Sequence, residues 1–515
     1  MPARLPGWLA AVRGSGCAPA ALPFLLLLEL APGTASAVES EITATSTVQS
    51  YTLRSPFGEP QLRRRRFTQS LGLTLRDLDG LPARQGPELS FTANLRVDAD
   101  FGQTAAERDP HDAEHFVPGL QEAPLDVMFA YLDARGLVGH GVDLRLGRQY
   151  VTDALGWWSF DGALLRVGER RYVELESYAG FEQRGGLPLV SSSRFEADGV
   201  YRGDRTGLDR HFWPGFLDES RLAPAWGIAA ETAALEWFDA RVGYRRVIQR
   251  DTVVLSPFPE PDGGLRVFSR TRTSSERLGL AMELWAPSLG RLDAGAVYDL
   301  YRQRWSELRS SFGWAIAPSL LIGLDGEYVL PTFDADSIFN FFTQRPMRQC
   351  LASLDWQASR HVRLYASSGV RLFGREEEPG GAVSAQAQAA QELAAPPATA
   401  VDGIGSLTTS TRWGPTALTL STSADVGQTG HLVGGDLRLT RSFAAGLYDV
   451  LTVLSVYSWL DEIRKDRDAV SLTYVVGGGV SPLDTTRLGI EWEQSMNRLT
   501  GERIRLFGTL QVRVQ

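Results

Sequence analysis

The sequence predicts an all-β fold: a single large antiparallel transmembrane β-barrel of about 18 strands, within roughly 16 to 22. Three observations predict it. They are long segments of strict two-residue alternation, a secretory pattern at the N-terminus, and connections that alternate between tight turns and long loops. Residues 89–101 read Leu-Ser-Phe-Thr-Ala-Asn-Leu-Arg-Val-Asp-Ala-Asp-Phe, apolar at every odd position and polar at every even one. A period of two gives a strand with one greasy and one wet face. Ordinary strands run about five or six residues. In a membrane barrel the greasy face meets lipid and the wet face lines the lumen.

The N-terminus has the secretory order. Arg4 and Arg13 supply positive charge, Leu22–Leu30 a short apolar core, and Ala35-Ser36-Ala37 a small-residue cleavage site. Residues 1–37 are expected as a signal peptide and 38–66 as an N-terminal periplasmic segment, with the barrel over 67–515. Elsewhere no segment approaches the ~20 apolar residues of a spanning helix. A mean hydropathy of −0.14 does not oppose a barrel, which hides its lipid-facing residues in alternation. Removing Arg4, Arg13 and Glu29 takes the formal charge from −9 to −10, which argues against a nucleic-acid partner. Cys350 is the one cysteine left after cleavage, so no intrachain disulfide forms. Lys465 is the only lysine; the remaining basic charge is arginine, which suits carboxylate and phosphate pairing.

The alternation recurs at Leu278–Leu284, Leu292–Leu300, Phe312–Ile316, Val362–Val370, Val470–Val476, Leu488–Trp492 and Ile504–Val514. It yields about 13 strands from Glu276 to Val514 and about nine between Phe67 and Ile248. Up-down parity fails around Arg184–Pro224, which is why about 18 is preferred to the raw count. Tight turns at Ala286–Gly290, Ala317–Ser319, Gly414-Pro415 and Ser481–Asp484 alternate with loops at Pro331–Pro346, Gly374–Gly403, Asp461–Asp468 and Asn497–Glu502. Short periplasmic turns and longer outer loops follow, with the C-terminus in the periplasm. Trp285, Trp314, Tyr328, Tyr457, Trp459 and Trp492 near strand ends fit interfacial girdles. The Ala/Gln/Pro-rich segment Gly380–Ala400 reads as an outer loop. Asp204–Pro224 reads as a lumen loop or an aromatic contact surface.

His111-Asp112-Ala113-Glu114-His115 matches a zinc-protease spacing. It lies in a loop without a long helix, so a polar loop is the leading reading, and no metal or cofactor is expected. No phosphate-binding glycine loop or serine-nucleophile elbow occurs, and the other histidines are scattered. Arg63–Arg66 precedes the first strong alternation and reads as a basic flank at a membrane boundary, suited to anionic headgroups.

Leu144-Arg145-Leu146-Gly147-Arg148-Gln149, followed by Phe160-Asp161-Gly162, is the most specific motif. It resembles bacterial outer-membrane porin-like barrels, including the alginate-export type, in which a strand ending Gly-Arg-Gln leads to an Asp-Gly opening the next. The resemblance covers about 40 residues by motif and the rest by pattern. It implies a channel for hydrophilic solutes with Arg148 and Asp161 near the lumen. Such barrels usually end on Phe or Trp; this chain ends Val512-Arg513-Val514-Gln515.

The lumen candidates are Arg96, Asp98, Arg145, Arg148, Asp161, Arg277, Arg291, Arg363, Arg371 and Arg505. Charge rings set pore selectivity; the alternative is mutual neutralisation that holds the lumen's shape. The leading functional reading is an outer-membrane channel passing hydrophilic solutes without chemistry. A sharper version is the conduit of a polysaccharide export system. Its partners would be outer-membrane lipid or lipopolysaccharide, the solute or polysaccharide, and a periplasmic export partner. The other classes are an outer-membrane enzyme of phospholipase type and a structural or adhesive barrel with a plugged lumen.

Overall fold

The structure, a computed structural model, describes residues 38–78, 87–100, 125–169, 172–183, 223–233, 235–259, 265–286, 290–332, 345–374, 400–428, 430–461, 469–498 and 501–514. Its strands are β1 (Glu39–Arg54), β2 (Pro60–Arg76), β3 (Glu88–Asp100), β4 (Leu125–Gly136), β5 (Val142–Asp153), β6 (Gly156–Glu169), β7 (Val173–Glu182), β8 (Ala223–Thr232), β9 (Phe238–Pro259), β10 (Leu265–Ala286) and β11 (Gly290–Asp299). They continue as β12 (Arg304–Ala317), β13 (Leu320–Val329), β14 (Met347–Gln357), β15 (Val362–Phe373), β16 (Ala400–Trp413), β17 (Thr416–Gly427), β18 (Gly430–Phe443), β19 (Tyr448–Asp461), β20 (Ala469–Leu483), β21 (Thr486–Asn497) and β22 (Gly501–Val514). All pair antiparallel in one 22-stranded sheet. β1 pairs with β2 and also with β22, from Ile42↔Val514 to Arg54↔Glu502. That closure removes the sheet edges, as a membrane barrel requires.

The 13 strands expected after Glu276 are β10 to β22. The preferred total of about 18 is too low; 22 lies at the top of the expected range. β7 pairs directly with β8, from Glu182↔Ala223 to Val173↔Thr232, across the region where parity failed.

The barrel also begins earlier than expected. Residues 38–66 were assigned to the periplasm, yet Glu39–Arg54 and Pro60–Arg76 are wall strands. The reason is chemical. In β1 the lumen-side positions are Thr43, Thr45, Thr47 and Gln49, opposite Ile42, Ala44, Ser46 and Val48, so the hydropathy contrast is weak. Branched threonines still suit a strand, and closure supplies both ladders. The Arg63–Arg66 run lies inside β2, paired with Gln49–Thr52, at the end of the barrel that carries the long loops.

That end is distinguished by its connections. Residues 330–346, 374–399 and 462–468 join strands there, whereas 318–319, 414–415 and 484–485 join them at the end shared with Val514. Leu146, Leu165, Leu175, Ile228, Leu308 and Leu324 stand exposed on one face. That face is the lipid belt. Aromatics flank it, with Tyr298 against Trp305 at the long-loop end (centroids 5.0 Å apart) and Trp314 and Trp356 exposed at the other. Tyr457 departs from the girdle expectation: it lies opposite Gly434 and its Oη donates to Asp436 at 2.6 Å, on the lumen face. Gly380–Thr399, His111–His115 and Asp204–Arg221 lie outside the described residues, as does the proposed signal peptide.

Candidate functional site: a charged lumen with an inward hairpin

The Gly-Arg-Gln and Phe-Asp-Gly segments face each other as three successive cross-strand pairs: Gly147↔Gly162, Arg148↔Asp161 and Gln149↔Phe160. β5 pairs with β6 along its whole length, but with β4 only from Ala134↔Leu144 to Ala130↔Arg148. Beyond that point the β5–β6 hairpin leaves the wall. Gly147 stands at the departure with φ 127°. A Cβ there would lie 2.3 Å from the Ala130 carbonyl oxygen, so only glycine fits. Gly162 and Gly180 continue the row, and a Cβ on Gly162 would lie 2.2 Å from the Ala179 carbonyl.

The hairpin tip reaches β9 and β10. Arg245 Nη2 donates to the Leu155 carbonyl at 3.0 Å, and Leu155 packs over Gly279. Strands this far apart around the wall meet only across its concave side, so these residues mark the lumen. Val151, Trp158, Phe160, Tyr178 and Val247 form a buried apolar cluster there, with Ala223 and Ala225. Trp158 stacks on Phe160 at 4.5 Å and meets Tyr178 at 5.3 Å; its Nε1 donates to Glu182 at 2.9 Å. The guanidinium of Arg245 lies 5.1 Å from the Trp158 ring centroid. Small residues on the facing wall, Ala225, Gly227, Gly243 and Gly279, leave room for the tip.

Around this hairpin the lumen charges are paired. Glu176 receives Arg166 at 2.8 Å and Arg241 at 2.5 Å, and Arg241 also reaches Glu231 at 2.5 Å. Further along the wall, a recess of about 500 Å³ over β9–β14 is lined by Asp239, Glu283, Asp293, Asp325 and Glu327 against Arg241 and Arg309. The next sector is hydroxylated. Ser353, Ser367, Ser406 and Ser423 occupy one register row across β14–β17. Ser367 and Ser406 share a hydrogen bond of 2.7 Å, and Thr408 donates to Ser421 at 3.2 Å.

The structure distributes the sequence candidates around the wall instead of gathering them into one ring. Arg96 lies opposite Ser70, on the face away from Leu95 and Leu71. Asp98 lies opposite Thr68, and its side chain is outside the described set. Arg145 pairs with Asp133 at 3.2 Å and sits 4.6 Å from the Tyr131 ring centroid. Arg277 donates to the Thr332 carbonyl at 3.3 Å. Arg291 binds Asp293 at 2.8 Å and Glu283 at 3.0 Å. Arg363 donates to Asp355 at 2.8 Å; Arg371 bridges Gln349 and Asp425 at 3.0 and 2.6 Å; Arg505 binds Glu493 at 2.5 Å.

Arg148 and Asp161 correct the expectation. They form a bidentate pair of 2.7 and 2.9 Å on the face of the hairpin turned away from Phe160 and Gln149. Alternation decides this: with Gln149 and Val151 buried on the lumen side, position 148 points the other way. Arg241, Arg245, Trp158 and Tyr178 escaped sequence reasoning. The alternation Arg241-Gly243-Arg245-Val247 against Val242 and Tyr244 carried the signal, hidden because Val247 makes the wet face partly apolar.

Neither a protein-family model nor a curated protein matches the sequence. Among solved structures, the ferric enterobactin receptor of Pseudomonas aeruginosa is similar with a TM-score of 0.52 at 9% identity, over 92% of this chain and 81% of that one. OccAB4 of Acinetobacter baumannii (TM-score 0.41, 7% identity) and the outer membrane protein opdK of Pseudomonas aeruginosa (0.40, 9%) each cover 98% of their own chain and 92% of this one. At these identities the likeness is one of fold alone, that of a large closed antiparallel β-barrel.

Proposed function

We propose that this protein is an outer-membrane channel that passes small hydrophilic solutes through a charged, hydroxyl-lined lumen. The observation that carries it is the contrast between the two faces of one closed wall. Outside stand leucines and isoleucines, inside stand paired charges and serine rows. The hairpin narrows that lumen and gives it selectivity, since field and width both act at a constriction. Hydroxyl rows exchange hydrogen bonds with hydroxylated solutes at little desolvation cost, so sugar-like solutes suit β14–β17. A conduit for an exported polysaccharide, with a periplasmic partner, is the extended form of this reading. Exposed Arg65 at the outer rim suits lipopolysaccharide phosphates. The test is reconstitution into planar bilayers and liposomes. Ion conductance together with swelling in neutral sugars is expected. A folded protein that gives neither supports a plugged barrel instead.

A further inference from the structure

We propose that the inward hairpin and the adjoining wall of β3 and β4 form a saccharide subsite that takes neutral glucose oligomers. The proposal rests on the channel reading above and deepens it, naming a substrate class and its place in the lumen.

The hairpin has two faces. One carries Val151, Trp158 and Phe160, buried against Tyr178, Ala225 and Val247 on the lumen side of β7–β9. The other carries Tyr150, Thr152 and Trp157, with Thr152 paired opposite Trp157. A hairpin whose core face lies on the inner wall turns its opposite face to the open lumen. A contact to β4 agrees. Tyr150 meets Phe129 edge-on, 5.7 Å between centroids, and Phe129 stands opposite Asn94, on the polar side that β3 turns to the lumen. Tyr131, opposite Thr92, lies 6.1 Å from Phe129, and Trp157 lies 6.4 Å from Tyr150.

Trp157 is 67% exposed and Tyr150 42%. Rings of this size are ordinarily drawn out of water, and here a fixed turn holds them in it. The Leu155 N–H donates to Asp153 at 2.8 Å, and Arg245 holds the Leu155 carbonyl at 3.0 Å. Rings fixed in this way lose little entropy when a solute settles on them.

Beside the rings the wall is neutral. Thr43 of β1, Gly72 of β2 and Asn94 of β3 follow one another across the lumen face, with Thr74 and Thr92 paired beside them. A Cβ on Gly72 would collide with the Thr43 hydroxyl and lie 3.6 Å from the Asn94 amide, so both groups lean into the space that glycine leaves. Charge enters at the borders, with Arg96 two residues past Asn94 and with Arg145, held by Asp133, beside Tyr131.

A glucose ring matches both halves. Its hydroxyls are equatorial, so its two faces are C–H and stack on the electron-rich face of an aromatic ring. The hydroxyls point sideways, where threonine and asparagine donate and accept hydrogen bonds. An alkyl chain would strip water from Thr43, Thr92 and Asn94 and replace none of its hydrogen bonds. An ion finds no counter-charge between the borders.

The experiment titrates maltohexaose and cellopentaose against single channels in planar bilayers. At least one of the two is expected to interrupt the wild-type current. Tyr150→Ala/Trp157→Ala is expected to raise the half-blocking concentration about tenfold, and Tyr150→Phe/Trp157→Phe, which keeps ring faces, to stay within about twofold of wild type. Heat-modifiable gel migration verifies that each variant is folded. Polyethylene glycol of matched length reads plain obstruction and is expected to block wild type and the alanine variant alike. Sugar block that is equal in those two proteins, or absent from a conducting wild type, overturns the proposal. So does an equal loss of block by polyethylene glycol, which would assign the effect to pore width. Calorimetry with the same sugars on detergent-folded protein separates the two readings. Ring-dependent binding by a protein that conducts nothing overturns the channel and leaves the subsite, and conductance without sugar binding does the reverse.

Discussion

At the scale of single residues, position along a strand decides what a charge does. Leu95 and Arg96 are neighbours on opposite faces. Leu95→Arg is expected to impair assembly, because a lipid-face arginine costs about 2–4 kcal/mol at the bilayer midplane. Arg96→Leu is expected to be milder. Folding yield in vesicles, read by gel mobility, checks the pair, and equal yields would show the face assignment to be wrong. The same logic separates Arg148 from the lumen arginines. Arg145 and Arg363 are each held by a lumen carboxylate, Asp133 and Asp355. Neutralising both with glutamine removes two lumen positive charges, leaving Asp355 without its arginine and Asp133 with Arg135 alone, so the reversal potential under a salt gradient should move toward cations. Arg148→Gln should leave the reversal potential where it is, since its partner Asp161 also faces away from the lumen cluster. A shift for Arg148→Gln equal to that of the lumen pair would place it in the current path.

At the scale of elements, the β5–β6 hairpin is a bent strand pair held by its own core. Phe160 is fully buried, and Trp158 and Tyr178 nearly so. Truncation of a buried aromatic costs about 3–5 kcal/mol. Phe160→Ala and Trp158→Ala should therefore loosen the hairpin more than they harm the barrel, whose ladders they do not touch. Single-channel conductance is expected to rise and become noisier, with heat-resistant migration preserved. Unchanged conductance would mean that the hairpin does not limit the current. The long outer loops behave differently. Deletion of residues 380–399 should leave a folded barrel, because β15 and β16 pair fully without them, from Phe373↔Ala400 to Val362↔Thr411. Ala400 stays, since it is buried at the start of β16. Disappearance of the protein from the membrane fraction would show that the segment packs within the barrel.

At the scale of the whole molecule, closure and lumen charge are properties of the ring and not of any strand. The recess over β9–β14 is lined by five carboxylates and two guanidiniums, and Arg291 beside it binds Glu283 and Asp293, so the carboxylates still outnumber the guanidiniums and the sector favours cations locally. Asp325→Asn with Glu327→Gln is expected to shift the reversal potential toward anions, opposite to the arginine variants. Movement of both sets in the same direction would place one of them off the conducting path. β1 holds the ring shut through its pairing with β22. Removal of residues 39–54 is accordingly expected to abolish heat-resistant folding, in contrast to loss of the outer loop.

Much was legible in the chain because a period of two writes the lumen and lipid faces directly into the sequence. Leu89–Phe101 announced its strand, its faces and the position of Arg96 without help. The connections gave the polarity of the barrel, since turn and loop lengths are local facts. β1 was illegible because its two faces differ little in polarity, and its place depends on a ladder with β22 at the far end of the chain. Strand number shared that fate, since closure is a property of the ring. The Gly-Arg-Gln and Asp-Gly motif was visible, but its meaning was not. Only the tertiary structure shows that Gly147 starts a bend, that the bend turns Gln149 and Phe160 inward, and that Arg148 and Asp161 therefore face away. The sequence by itself determined the fold class and the polarity, which follow from local periodicity. Tertiary structure decided the closure and the inward hairpin, which follow from contacts between strands that the sequence holds far apart.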